Sequence, residues 1–448
     1  MRLAMAAAVV FVWTGVALAA PAPPKVEAAD RPVLEAFLEH VDGSAAQCTP
    51  ERMEQFARRP EDIVWKASRY IRLPLVAYRL TGDAGYLDAF VERCDALFAC
   101  LDKGPDGYLG WYGLPLDLFR HPDHPDRRVD VVLTSFEVAG MVADFAVVIR
   151  AEASLRRRYD RPVARYLNVA EKHLVAKWDA RRCYKDLGDR GAVYVTHPAL
   201  KPVKASLTQP HNKHATIARA LLALYRATRR DAYLAKAVKL ASRFKRCLTL
   251  EDGRYRWNYW DPASPWDVHP DNGGQWKHWI GPEHRAGYYA ASLGQAVVMY
   301  EHGLIFTRED IDRFVRTQTE VCWNGSVESP RWARVDGRAA GGAYLCTLLA
   351  PFDDRIYRVA FTGPAQRERV ERRAHPWQGS VVAAGYLETK YLTVPRWRGG
   401  EPAEAASVAA FVKQPANRRL LESLAFEVTP PGYHAPASSS ETSWRKKR

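Results

Sequence analysis

Over most of its length the chain carries apolar residues every three or four positions, interrupted by loops dense in aromatic and turn-forming residues. That spacing marks one face of an α-helix, whose 3.6-residue period brings positions i, i+3, i+4 and i+7 together. It predicts helices over Pro32–His40, Ile63–Leu80, Gly85–Leu101, Ser135–Ala153, Val163–Trp178, His211–Ala227, Ala232–Leu248, Pro282–His302, Arg308–Thr319, Gly341–Leu349 and Gln378–Tyr391. The two-residue alternation of strands is scarce.

The pattern repeats. LVAYRLTGDAGYLDAFVERCDALFACL from Leu75 matches LLALYRATRRDAYLAKAVKLASRFKRCL from Leu221. Tyr78 with Tyr225, Tyr86 with Tyr233, and Cys100 with Cys247 stand at one constant offset. Each copy then reaches an Asp-Gly turn, Asp106-Gly107 or Asp252-Gly253, and an aromatic cluster. A helix–turn–helix unit of this kind cannot bury its apolar face alone and must stack on copies of itself. The expected fold is therefore all-α, an α/α toroid of about six to seven hairpins, closed or incomplete; an open solenoid is the alternative. Three loops, 102–134, 183–210 and 249–281, are longer than simple connections need, which points to function.

Met1–Ala20 changes the picture at one end. Arg2, an apolar run and Ala17-Leu18-Ala19 read as a cleavable signal peptide, too short for a membrane span. Residues 21–30 read as a Pro/Ala linker, 31–395 as the toroid domain and 396–448 as a C-terminal extension, disordered after 429. The expected location is secreted or periplasmic, with no stable membrane insertion.

Among 448 residues the net charge is +14. In an exported protein this suggests an acidic partner such as an anionic polysaccharide. No nucleic-acid motif accompanies the charge, which sets that partner aside. Seven cysteines, an odd number without C-x-x-C, argue against a zinc ribbon and leave room for one or two disulfides. The chemistry below calls for no cofactor and no metal.

Two stretches carry candidate chemistry. In GGQWKHWIGPEHRAGYYAASLG, Gly273–Gly294, a helix is expected to start at Gly281-Pro282, because proline suits the first helical position. His284 and Tyr288 would share one face, with Arg285 and Tyr289 beside them, at the positive end of the helix dipole. In TQPHNKHAT, Thr208–Thr216, Pro210 marks a second helix start carrying His211, Asn212, Lys213 and His214; the repeat aligns Trp65 and Lys66 with this turn. Loop aromatics Trp111, Tyr112, Trp257, Tyr259, Trp260, Trp266, Trp276 and Trp279 suit the apolar faces of sugar rings, although about half are expected to anchor loops. Two weaker signals are the HPDHPD turn at 121–126, as a metal site, and Asp261, Asp267, Asp271 and Glu283, as paired carboxylates of a glycosidase.

Asn212-Lys213-His214 and His284-Arg285-Ala-Gly-Tyr288-Tyr289, on a basic multi-hairpin helical chain, resemble the α/α-toroid polysaccharide lyases of the alginate-lyase and glucuronan-lyase type. Lys213 splits Asn from His, which are often adjacent in that family, and two tyrosines compete for one role. The resemblance implies β-elimination on a uronate polymer. Asn212, His214 and Arg285 would neutralise the carboxylate. Tyr288 or Tyr289 would be the acid, with Tyr288 preferred, and His214 or His284 the base where one tyrosine does not fill both roles. Lys213 and the loop aromatics would bind substrate. A glycoside hydrolase on the same toroid and a non-catalytic binder of acidic glycans are the alternatives.

Overall fold

The computed structural model describes residues 23–269, 274–364, 376–393 and 406–428. The expected signal peptide, Asp271 and the tail after 429 lie outside them.

Helices come in antiparallel pairs. After α1 (Arg31–Gly43) and α2 (Pro50–Ala57), α3 (Ser68–Thr81) continues the short turns Pro60–Asp62 and Ile63–Ala67 into one rod, and α4 (Gly85–Phe98) returns beside it. The pair α5 (Val132–Ala151) and α6 (Ala153–Val169) follows, then α7 (His211–Thr228) and α8 (Asp231–Arg246), then α9 (Ala286–Glu301) and α10 (Arg308–Arg316). A 3-10 segment Thr347–Phe352 precedes α11 (Asp354–Tyr357), and α12 (Pro376–Leu387) runs on through Glu388–Leu392. Outside the ring, α13 (Ala406–Lys413) sets Phe411 on Tyr225, and α14 (Pro415–Leu424) accepts the Ser242 hydroxyl at the Leu424 carbonyl.

One central cavity shows the closure. It is lined by Arg72 of α3, Glu137 of α5, Arg219 of α7, Val297 of α9, Leu348 of the 3-10 segment and Thr389 after α12. Six inner segments thus surround one bore, with the other helices outside. First and last inner segments are tied by Arg79–Glu388 at 3.2 Å. Phe37, Val41, Leu73 and Ala77 pack against Ala383 and Leu387 at the same seam, and Lys390 reaches Asp30 at 2.6 Å. The fold is an all-α toroid.

Apolar residues all round α5 explain its place in the wall: such a helix must be covered on every side. Gly140 allows the closest approach, since a Cβ there would lie 2.9 Å from the Ala220 Cα on α7. Both copies of the sequence repeat end their inner helix in the left-handed region, at Gly82 (φ 73°) and Arg229 (φ 62°). After the outer helices come small antiparallel hairpins: β1 (Asp102–Lys103) with β2 (Leu109–Gly110), β3 (Tyr184–Asp186) with β4 (Ala192–Tyr194), and β5 (Thr249–Glu251) with β6 (Arg254–Arg256). They stiffen the long loops on the rim where the inner helices begin.

Four expectations change. The helix placed at Pro282 begins at Ala286, because Pro282 is held extended in an antiparallel bridge to Asn258. Gly341–Cys346 is not helical; only Thr347–Phe352 coils, as 3-10. Pro162 lies inside α6 rather than before it, so that helix starts at Ala153. All seven cysteines are free, and six are buried.

Candidate active site

Main-chain bonds bring the two candidate stretches to one rim. The His211 N–H at the head of α7 donates to the Tyr259 carbonyl at 3.2 Å, and the Tyr259 N–H donates to the Gly281 carbonyl at 2.8 Å. Tyr259 therefore stitches the start of α7 to the segment leading into α9. Gly281 is needed because the Trp279 ring folds over it; a Cβ there would lie 2.1 Å from that ring.

Burial then sorts the residues ahead of α9. Glu283 and Tyr289 are buried, whereas His284 and Arg285 are exposed and Tyr288 half-buried. Tyr288 stacks on Tyr259, centroids 5.6 Å apart and planes 21° apart. His284 stands edge-on to Tyr259 at 4.6 Å and to Trp279 at 5.4 Å. The Arg285 guanidinium lies 5.5 Å above the Tyr288 ring, and Trp65 from the head of α3 reaches that ring at 6.0 Å. His278 lies 5.7 Å from Tyr259, with Lys204 Nζ 3.4 Å from its Nδ1. Lys213 sits over Phe119 at 5.4 Å.

The surroundings are cationic. Burial, then Arg285 and Arg334, lower the His284 pKa and leave a neutral imidazole able to accept a proton. Burial, then Lys204, Lys213 and His284, push His278 down to about 3. Lys204 falls to about 8 through burial and its neighbours Lys201 and Lys213. Glu283 rises to about 8 through burial. One of its oxygens accepts the His284 N–H at 2.9 Å, and the other has no partner among the described residues. The site therefore offers a neutral base, a phenol, cations and a protonated carboxyl behind them.

Several expected site residues stand in other surroundings. His214 is buried, its Nε2 accepting the Tyr194 N–H at 2.9 Å, and burial pushes its pKa down to about 3. Asn212 is buried, and its Oδ1 has no partner among the described residues. The Tyr289 hydroxyl is 2.9 Å from Gln318 Oε1 inside the core, and Trp257 stacks on its ring at 5.4 Å. Trp111 and Trp260 are fully buried, their indole N–H groups donating to the Leu97 carbonyl at 3.0 Å and the Thr208 carbonyl at 2.8 Å. Buried Tyr112 lies 3.0 Å from Arg181. Trp276 lines a separate surface pocket with Trp266. Of the named aromatics, Tyr259 and Trp279 join His284, Arg285 and Tyr288.

The carboxylate reading changes too. Asp267 accepts from the Thr208 N–H and hydroxyl and from the Ala263 N–H, and Asp261 holds His211 at 2.9 Å and Asn258 at 2.9 Å. Cys247 joins His211 and Asp261 in a buried group whose potential ligand atoms lie within 4.8 Å of one another. Within it His211 Nε2 bonds to Asp261, and His211 Nδ1 has no partner among the described residues. At 121–126 the HPDHPD segment forms a tight turn, with its two imidazoles 5.0 Å apart.

Sequence reading missed Trp65, Lys204, His278 and Arg334. The repeat held a signal for Trp65, since it aligns with the head of α7; the others stand in aperiodic loops.

No family model matches the chain, and no curated protein does. Solved structures similar to it include the α-1,6-mannanase GH76A of Salegentibacter sp. HEL1_6, at 10% identity and TM-score 0.44, covering 79% of this chain and 98% of that one. An inactive variant of that mannanase in complex with α-1,6-mannotriose matches at 10% identity and TM-score 0.45, with the same coverage. A D-mannose isomerase matches at 12% identity and TM-score 0.44, covering 81% of this chain and 87% of that one. Neither the mannanase nor the isomerase is a lyase.

Proposed function

We propose that this protein is an exported polysaccharide lyase that cleaves a uronate-containing polymer by β-elimination. The supporting observation is the solvent-facing group His284, Arg285 and Tyr288, set among Lys213, Lys204 and Arg334. A uronate C5 proton is too weakly acidic to remove until its carboxylate charge is neutralised. Arg285 and Lys213 supply that charge, in place of the buried His214 and Asn212. Neutral His284 then takes the C5 proton. The C–H electron pair forms the C4–C5 double bond, the C4–O bond breaks, and the Tyr288 hydroxyl protonates the departing oxygen. Trp65, Tyr259 and Trp279 offer ring faces to the flanking sugars.

The reading is tested by incubating the protein with a panel of polyuronates and following near-ultraviolet absorbance from the conjugated double bond. Growth of absorbance with at least one polymer is expected. Depolymerisation without it would favour a glycoside hydrolase, for which protonated Glu283 is the candidate acid. Binding without cleavage would favour a glycan-binding protein.

A further inference from the structure

The bore has a second region that the rim site does not use. Its lining is drawn from the middles and ends of the inner helices: Arg79 near the end of α3, Arg226 near the end of α7, and Glu301 with His302 at the end of α9. The cavity holds roughly 620 Å³, within the range of about 300–1,000 Å³ common for small-molecule sites. Thirteen residues of α7 separate Lys213 at the rim from Arg226, about 20 Å at the helical rise of ~1.5 Å per residue. Arg226 lies toward the far end of the bore, and Arg219, six residues from Lys213, about 9 Å along the helix, lies midway.

The arginines here are of two kinds. Arg72 is held by Glu137 at 3.2 Å and Asp144 at 3.5 Å, and Arg79 by Glu388 at 3.2 Å. Arg219 and Arg226 also face the cavity, two turns apart on one side of α7, yet neither has an ion-pair or hydrogen-bond partner among the described residues. Packing of the wall around it, then the facing charge of Arg72, works against the charged form of Arg219, while Glu137 and Asp144 favour it. Arg219 is exposed to the bore and Arg226 half-buried, so both guanidiniums are open to a ligand, and an oxyanion can meet each planar fork with two hydrogen bonds. Glu301 adds one acid to the wall, and burial lowers the His302 pKa and disfavours its charged form.

We propose that this stretch of the bore is an anion-binding site, in which Arg219 and Arg226 together hold the oxyanion of a small acidic sugar or of a phosphate. The inference stands independently of the rim chemistry. It is tested by titration calorimetry at fixed ionic strength, with sodium glucuronate and inorganic phosphate as separate probes. Wild-type protein is expected to bind at least one of them one-to-one. Tighter binding of glucuronate assigns a sugar acid, and tighter binding of phosphate assigns a phosphate; either supports the site. Arg219→Gln with Arg226→Gln should weaken binding by about tenfold or more, the usual scale for lost charge-assisted bonds. Tyr288→Phe should leave it unchanged. If the double variant does not fold, Arg226→Gln alone should still weaken binding severalfold. The proposal is overturned if wild type binds neither anion, if the arginine variants bind as wild type does, or if Tyr288→Phe removes the binding.

Discussion

Arg285 holds its guanidinium 5.5 Å above the ring of Tyr288, one turn into α9. The contact is a cation–π pair that fixes the ring whose hydroxyl is the proposed acid. Tyr288→Phe removes the hydroxyl and keeps the ring that stacks on Tyr259. It should lower kcat and kcat/KM together by roughly 10²–10⁴-fold while leaving substrate binding nearly intact. Tyr289→Phe is the contrast. It deletes a buried hydroxyl 2.9 Å from Gln318 and should cost about 1 kcal/mol of stability with little change in turnover. Steady-state kinetics and denaturant melts on both variants check this.

The cluster Lys204, Lys213, Arg285 and Arg334 predicts a salt-sensitive KM. Charges at an open rim are screened over about 8–10 Å near physiological ionic strength. KM for a polyuronate should rise with added sodium chloride, and the slope should flatten in Arg285→Ala. A KM indifferent to salt would indicate a neutral sugar.

Glu283 makes stability depend on pH in an unusual direction. Its folded pKa of about 8 lies above the ordinary glutamate value. The native state therefore keeps a proton that the unfolded chain releases, and stability is lost as pH rises from about 4.5 to 8. Glu283→Gln imitates the protonated carboxyl. Its melting temperature should exceed that of wild type at pH 9, and the two should converge below pH 4.5.

His214 acts with the opposite sense. Its folded pKa of about 3 lies below the ordinary histidine value, so the unfolded chain binds the proton first. Stability is full above pH 6.5 and falls as pH drops toward 3, at about 1.4 kcal/mol per pH unit for one proton. His214→Gln removes that proton from the balance, and the slope of stability against pH over this window should shrink by one proton's worth. An unchanged slope would mean that His214 titrates in the folded protein.

The helices of the ring were legible because amphipathic periodicity is local: Gly85–Leu101 and Ala232–Leu248 were expected nearly where α4 and α8 lie. The repeat carried the hairpin plan. What failed was decided by tertiary contact. Pro282 reads as a helix start until Asn258 bridges it into extended backbone. Trp111, Trp257 and Trp260 read as sugar platforms until the rim loops fold inward over them. Nothing in the local pattern separates His214, which faces Tyr194, from His284, which faces solvent. Helical spacing from a start at Pro282 paired His284 with Tyr288; they do meet, at 6.0 Å, although His284 lies ahead of the helix.

The proposed chemistry breaks the glycosidic bond by elimination, without water. Cleavage in oxygen-labelled water, followed by mass spectrometry of the oligosaccharides, tests this most directly. Elimination predicts products whose new ends carry no label and whose non-reducing sugar is lighter by one water, with a signal that disappears in Tyr288→Phe. One labelled oxygen incorporated per bond cleaved would contradict it and establish hydrolysis.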